Sequence, residues 1–129
     1  MSTRSLILLT SAVRGAWGVG AFAAPGAMRR ARLAGTDPDL ELPDPRLYVR
    51  GFGGHQVLIA GFTIAALRSD ERTLRHGLLL SVLIDGLDIA SAVAELAARR
   101  QIDPTPAAGI VFSGAGALSN IALLRALDR

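Results

Sequence analysis

The chain of 129 residues contains no cysteine, which excludes disulfide scaffolds, thiolate metal sites and cysteine nucleophiles. It also lacks lysine. All 14 basic residues are arginine, set against 11 acids for a formal charge of +3, too small a surplus to mark a nucleic-acid surface. Aromatics are scarce as well, with one Trp, one Tyr and four Phe, so a base-stacking platform is excluded. No nucleic-acid partner is expected. Charge of either sign is sparse at 19%, half of the chain is hydrophobic, and mean hydropathy is +0.38. Disordered segments have the opposite composition. The length suits one domain, 1–129. No Walker loop, GxSxG elbow or HExxH pair occurs.

What the sequence does have is long apolar runs. Four blocks, about 4–24, 47–67, 76–98 and 106–127, each reach the ~20 residues that a helix needs to cross ~30 Å of hydrocarbon. Between them lie the breakers and charges: Pro25-Gly26, Pro43-Asp44-Pro45, Arg68 to Arg72, and Arg99 to Pro104. A soluble bundle would carry a continuous polar face on every helix, and stretches such as Leu78–Ile84 and Ala107–Leu118 hold no charge. The expected fold is therefore all-α, an integral-membrane four-helix bundle with both termini on the same side and a multi-pass location in the cell membrane. Small residues recur every fourth position at Ala12, Ala16, Gly20 and Ala24, at Gly86, Ala90, Ala94 and Ala98, and at Gly109, Ser113 and Ala117. Such stripes predict close helix contact in lipid. Arg4, Leu6–Val13 and Ala21-Phe22-Ala23 have the outline of a secretory signal, but Arg14 cuts the apolar run and a retained first helix is expected. Arginines divide evenly between the two sides, so the positive-inside rule fixes no orientation. The connection 25–46 is the longest; it reads first as a solvated loop, and its run Arg29–Arg32 could also meet anionic head groups.

The informative residues are ionisable groups within the blocks: Arg14 in the first, Arg50 and His55 in the second beside Gln56, and Asp85 and Asp88 in the third. Each charge at the centre of a spanning helix costs roughly 2.5–3.5 kcal/mol, so these groups must find partners or be neutralised. At ~100° per residue, Ser81, Asp85, Asp88, Ala92 and Glu95 share one stripe. A rise of 1.5 Å per residue puts His55, Asp88, Arg14, Asp85 and Asn120 at similar depths, about 12–21 Å from one face. The candidate catalytic groups are Asp85, Asp88 and His55, with a carboxylic acid to donate a proton and an imidazole to accept one. The candidate ligand-binding groups are Arg14, Arg50, Gln56 and Asn120. Arg50 and His55 point about 140° apart, so Arg50 either reaches the cluster along its stem or anchors the helix at head-group level. Arg14 with Asp88 equally suits an ion pair that fixes helix register, and His55 a packed core histidine. Ser113, Ser119 and Asn120 suit helix–helix hydrogen bonds. One His and two carboxylates make a poor divalent-cation set, so no metal is expected, and nothing names a cofactor.

These residues carry a resemblance. Arg14 and Gly18 followed by Pro25, the run Arg50-Gly51-Phe52-Gly53-Gly54-His55, and Asp85-Gly86-Leu87-Asp88 resemble the small four-helix membrane proteins of the DoxX-like group. The likeness is greatest to those of its members with no assigned activity. It covers nearly the whole chain except the first connection, and His55 stands where members of the group often carry a second arginine. The resemblance implies the bundle and no particular activity. The expected function is a polar pocket binding a small or lipophilic molecule, with acid–base chemistry open to it. The alternatives are a non-catalytic membrane subunit or scaffold, and a proton-coupled carrier working as an oligomer. The partners expected are membrane lipid, the lipophilic ligand and further copies of the chain.

Overall fold

A computed structural model describes residues 2–30, 45–99 and 104–128. Residues 31–44 and 100–103 lie outside this set, and with them most of the long first connection, including Arg32. The side chains of Arg29, Arg30, Glu95 and Ala98 are likewise outside it.

The described residues form five helices and no strand: α1 (Thr3–Ala23), α2 (Pro25–Arg30), α3 (Pro45–Ala66), α4 (Glu71–Arg99) and α5 (Pro104–Leu127). Each apolar block corresponds to one long helix, which begins one to five residues before it. The ends follow local chemistry. Prolines 25, 45 and 104, breaks in the sequence pattern, are each the first residue of a helix, where a missing N–H leaves no bond unmade and φ is already helical. The connection over 25–46 accordingly opens with a short helix. The third block starts at His76 in the hydropathy pattern, but α4 begins at Glu71 because Asp70 caps it. One Asp70 carboxylate oxygen accepts the Thr73 N–H at 2.7 Å and the other the Thr73 hydroxyl at 3.3 Å. Ser2 caps α1 in the same way, its hydroxyl accepting from the Ser5 N–H.

The Thr73 backbone N–H, and secondarily its hydroxyl, hold the Asp70 carboxyl below its ordinary range. A carboxyl with a lowered folded-state pKa stabilises above its unfolded pKa, and that contribution disappears as pH falls through the folded value. Asp70→Ala should therefore lower the melting temperature at neutral pH, and the gap from the parent should close under acid, below the usual carboxylate range. A gap of constant size across that titration would mean that the cap contributes nothing through its charge.

Among the described residues three segments are long and apolar enough to cross a membrane: Thr3–Ala23, Glu71–Ala94 and Gly109–Leu127. The fourth long helix, α3, has 22 residues, but Arg50, His55 and Gln56 dilute its hydropathy.

The helices associate as two close pairs, α1 with α3 and α4 with α5, joined along thinner α3/α4 and α1/α5 seams. An apolar cluster of Ile7, Ala66, Leu74, Leu78 and Leu123 closes one end of the bundle. At that end Arg4 donates to the Leu67 carbonyl at 3.0 Å, and Arg75 bridges Glu71 at 3.0 Å and Asp128 at 2.7 Å.

The small-residue stripes of α1 and α4 are not contact faces. Ala12, Ala16 and Ala24 are exposed, as are Gly86, Ala90 and Ala94, and a Cβ on Gly86 or Gly109 would meet nothing within 4 Å. The α1/α3 contact instead runs through Ser11, Gly15, Gly18 and Ala21 on α1. A Cβ on Gly18 would lie 2.8 Å from the Gly53 carbonyl oxygen, and one on Gly53 would lie 2.6 Å from that of Gly18. The two backbones touch there, and only glycine fits. The physical reason is angular. At about 100° per residue, the stripe from Ala12 to Ala24 lies on the side of α1 opposite the arc that holds Gly15, Gly18 and Ala21.

Candidate functional site

The distribution of polarity is reversed from that of a water-soluble bundle. Among the described residues the buried polar side chains are Ser11, Gln56, Thr63, Ser81 and Asp85, while Leu58, Leu83, Leu87, Val111 and Leu118 are each more than 60% exposed. All five buried polar side chains line one partly open cavity of about 490 Å³, situated where the two helix pairs meet.

Arg14 is the hinge of the site. Its position between Ser11 and Gly18 on the inner face of α1 aims the guanidinium across both seams. Nε donates to Oε1 of Gln56 on α3, and Nη2 donates to Oδ1 of Asp85 on α4. The Arg14–Asp85 ion pair is well shielded, with side chains 16% and 3% exposed. Arginine suits this place because its planar fork can serve two acceptors at once. The other Asp85 oxygen rests against α5, where a Cβ on Gly116 would lie 2.8 Å from it, and it has no hydrogen-bond partner among the described residues. Gly116 is thus a member of the site that the stripe of Gly109, Ser113 and Ala117 does not reveal. The only signal for it in the sequence is the pair Gly114 and Gly116 in an otherwise alanine-rich helix.

Asp85 and Asp88 part company. Three residues of helix advance about 4.5 Å and turn the side chain about 60° short of a full circle, so Asp85 faces the cavity while Asp88 faces α3. Asp88 Oδ2 lies 3.9 Å from His55 Nε2. The pairing of Arg14 with Asp88 suggested by the sequence is replaced by Arg14 with Asp85, because Asp85 is the carboxylate on the α1-facing side. His55 does not line the cavity. It stands behind Gln56, its ring edge-on to Phe52 at 4.8 Å between centroids, with Phe52 edge-on to Trp17 at 5.1 Å.

Gln56 links the two halves. Its carbonyl oxygen takes the Arg14 Nε–H, so its amide nitrogen is what faces His55 Nε2 at 3.0 Å. An amide nitrogen only donates. His55 Nε2 is therefore the acceptor, and the ring proton sits on Nδ1. The lone pair that the sequence offers as a proton acceptor is already engaged by Gln56.

Arg50 is placed elsewhere. It is exposed, and its Nε donates to the Phe22 carbonyl at 3.3 Å, satisfying one of the open carbonyls at the end of α1. Asn120, Ser113 and Ser119 line the cavity from α5. Thr63 and Ser81 donate their hydroxyls to the Ile59 and Gly77 carbonyls of their own helices, at 2.9 and 3.0 Å, and present only lone pairs to the space. Among the described residues no group of three or more His, Asp or Glu could hold a metal ion. Of the seven residues singled out from sequence, the structure brings Arg14, Gln56, Asp85 and Asn120 to the cavity, sets His55 and Asp88 behind it, and leaves Arg50 at the C-terminal end of α1. No family model, curated protein or solved structure matches the chain.

Proposed function

We propose that the chain is an integral-membrane bundle in which α1, α3, α4 and α5 all cross, with both termini on one side, and that the cavity binds a small lipophilic molecule. This is the architecture implied by the resemblance to the DoxX-like group. The observation that carries it is the coincidence of the buried polar side chains with one cavity inside a molecule whose outer faces are apolar. Lipid supplies the solvent for those faces, and α3 crosses because Gln56 and His55 find partners within the molecule while Arg50 is taken up by the Phe22 carbonyl at the end of α1. Polar groups cost too much in hydrocarbon to be kept without a use, and a volume within the roughly 300–1,000 Å³ of small-molecule sites gives them one.

Two measurements test this. The protein should stay with membranes through an alkaline carbonate wash and require detergent for release; a monomer stable in plain buffer would end the proposal. Native mass spectrometry of the gently released protein should then find a lipophilic adduct that Ser113→Phe, which fills the cavity from α5, removes without loss of folded protein. An adduct-free parent would favour a scaffold role. Proton flux in liposomes lost in Asp85→Asn would favour a carrier.

A further inference from the structure

Three of the cavity-lining residues are also among the exposed hydrophobics: Leu9 at 53%, Val13 at 63% and Phe112 at 58%. They belong to α1 and α5, whose mutual contact is thin. The cavity thus has an apolar mouth on the side of the bundle, between α1 and α5, and a polar floor beneath it. A molecule entering there comes from lipid and not from water.

The chemistry of the floor restricts the head of that molecule. Among the described residues the charged side chains lining the cavity are Arg14 and Asp85, and they neutralise each other. A ligand bearing a net charge would stand unpaired in a medium of low dielectric, which is heavily disfavoured. Hydrogen bonds are on offer in both directions. The remaining N–H groups of Arg14 donate, the back-bonded Thr63 and Ser81 hydroxyls accept, and the Asn120 amide can do either. A hydroxyl matches such a floor, since it donates and accepts at one atom. The walls, Trp17 and Phe52 with the mouth residues, suit an alkyl chain.

We infer that the cavity takes a single-chain lipid with an uncharged hydroxylated head, of the class of a monoacylglycerol or fatty alcohol, admitted sideways between α1 and α5. This rests on the proposed membrane cavity and adds the class of its occupant.

The one tryptophan of the chain, Trp17, lines the cavity and serves as the probe, because bromine on an acyl chain quenches indole fluorescence on contact. The full chain in nanodiscs is titrated with four lipids sharing a brominated stearoyl chain: the monoacylglycerol, the free acid, the primary amine and a phosphatidylcholine. The pH is about 9, where carboxylic acid and amine are both charged. Quenching in Ser113→Phe gives the background from outside contact. The monoacylglycerol should exceed that background at a mole fraction about tenfold or more below the acid or the amine, the factor expected for an unpaired charge. Asn120→Asp, which adds a negative charge to the cavity, should let the amine quench at mole fractions where it is silent in the parent. Equal quenching by charged and uncharged heads, or preference for the acid, would overturn the neutral-head inference and leave the cavity standing. If no head group rises above the Ser113→Phe background, the cavity reading falls as well.

Discussion

Arg14→Leu is expected to destabilise the protein by about 3–5 kcal/mol, the typical penalty for leaving one member of a buried ion pair without its partner. The Asp85 side chain is 3% exposed, and its second oxygen already lacks a partner among the described residues, so without the guanidinium the carboxylate would have no compensating charge. Gln56 loses its donor in the same step. Asp85→Leu should do comparable harm by stranding the arginine. The double variant Arg14→Leu/Asp85→Leu is the decisive one, because replacing a whole buried pair by apolar side chains is often neutral. It should recover most of the loss and give a large coupling in a double-mutant cycle. Unfolding in mixed detergent micelles measures all four proteins. Losses that simply add would mean that the two groups do not act as a pair. The same double variant should bind the hydroxylated lipid more weakly, since it removes the Arg14 donors while keeping the space, and should still reject charged heads, which remain unpaired.

The second large effect is steric. Gly53→Ala would put a methyl carbon 2.6 Å from a backbone carbonyl oxygen, and Gly18→Ala one at 2.8 Å. Neither obstacle is a flexible side chain, so the helices themselves must move apart. Over-packing of this kind costs about 1–3 kcal/mol, and Gly53→Val should exceed the alanine change. The two alanine variants disturb one and the same contact, so their combination should cost less than the sum. Helical glycines with open surroundings provide the contrast. A Cβ on Gly61 or Gly86 would meet nothing within 4 Å, and alanine there should raise stability by roughly 0.5–1 kcal/mol through the entropy of the unfolded chain. If Gly53→Ala and Gly86→Ala behaved alike, the close crossing of α1 and α3 would be wrong.

These two effects divide between what can and cannot be read from the sequence. The long helices are legible because four apolar blocks are separated by proline and charge, and proline is decisive about where a helix can continue; the short α2 and the full 29 residues of α4 are not. That Arg14 and Asp85 meet is legible in outline from depth, since charges at one level in apolar helices have few alternatives. The choice between Asp85 and Asp88 is not, because it depends on about 60° of helix rotation set by neighbours that the sequence does not place. The packing faces are hidden for a related reason: a four-residue repeat of small side chains is conspicuous along the chain, but on α1 it lies on the side away from the contact. Gly116 is inconspicuous because its role is to give room to a carboxylate from another helix. The early start of α4 is masked by the charged run Arg68–Arg72, although Asp70 with Thr73 three residues on is a capping arrangement. Arg50 draws attention as a charge beside His55, whereas its task is the carbonyl end of α1.

The order of the elements along the chain has a consequence for how the protein is made. Arg14 and Asp85 are separated by 71 positions, and Gln56, the other acceptor, arrives between them. Synthesis proceeds at about 5–20 residues per second. On the membrane reading, the first helix therefore carries an unneutralised guanidinium for several seconds before its carboxylate emerges from the ribosome. Insertion of α1 must be provisional during that interval, with the arginine held by translocation machinery or in the wet boundary of the bilayer, and the third long helix is what commits the first.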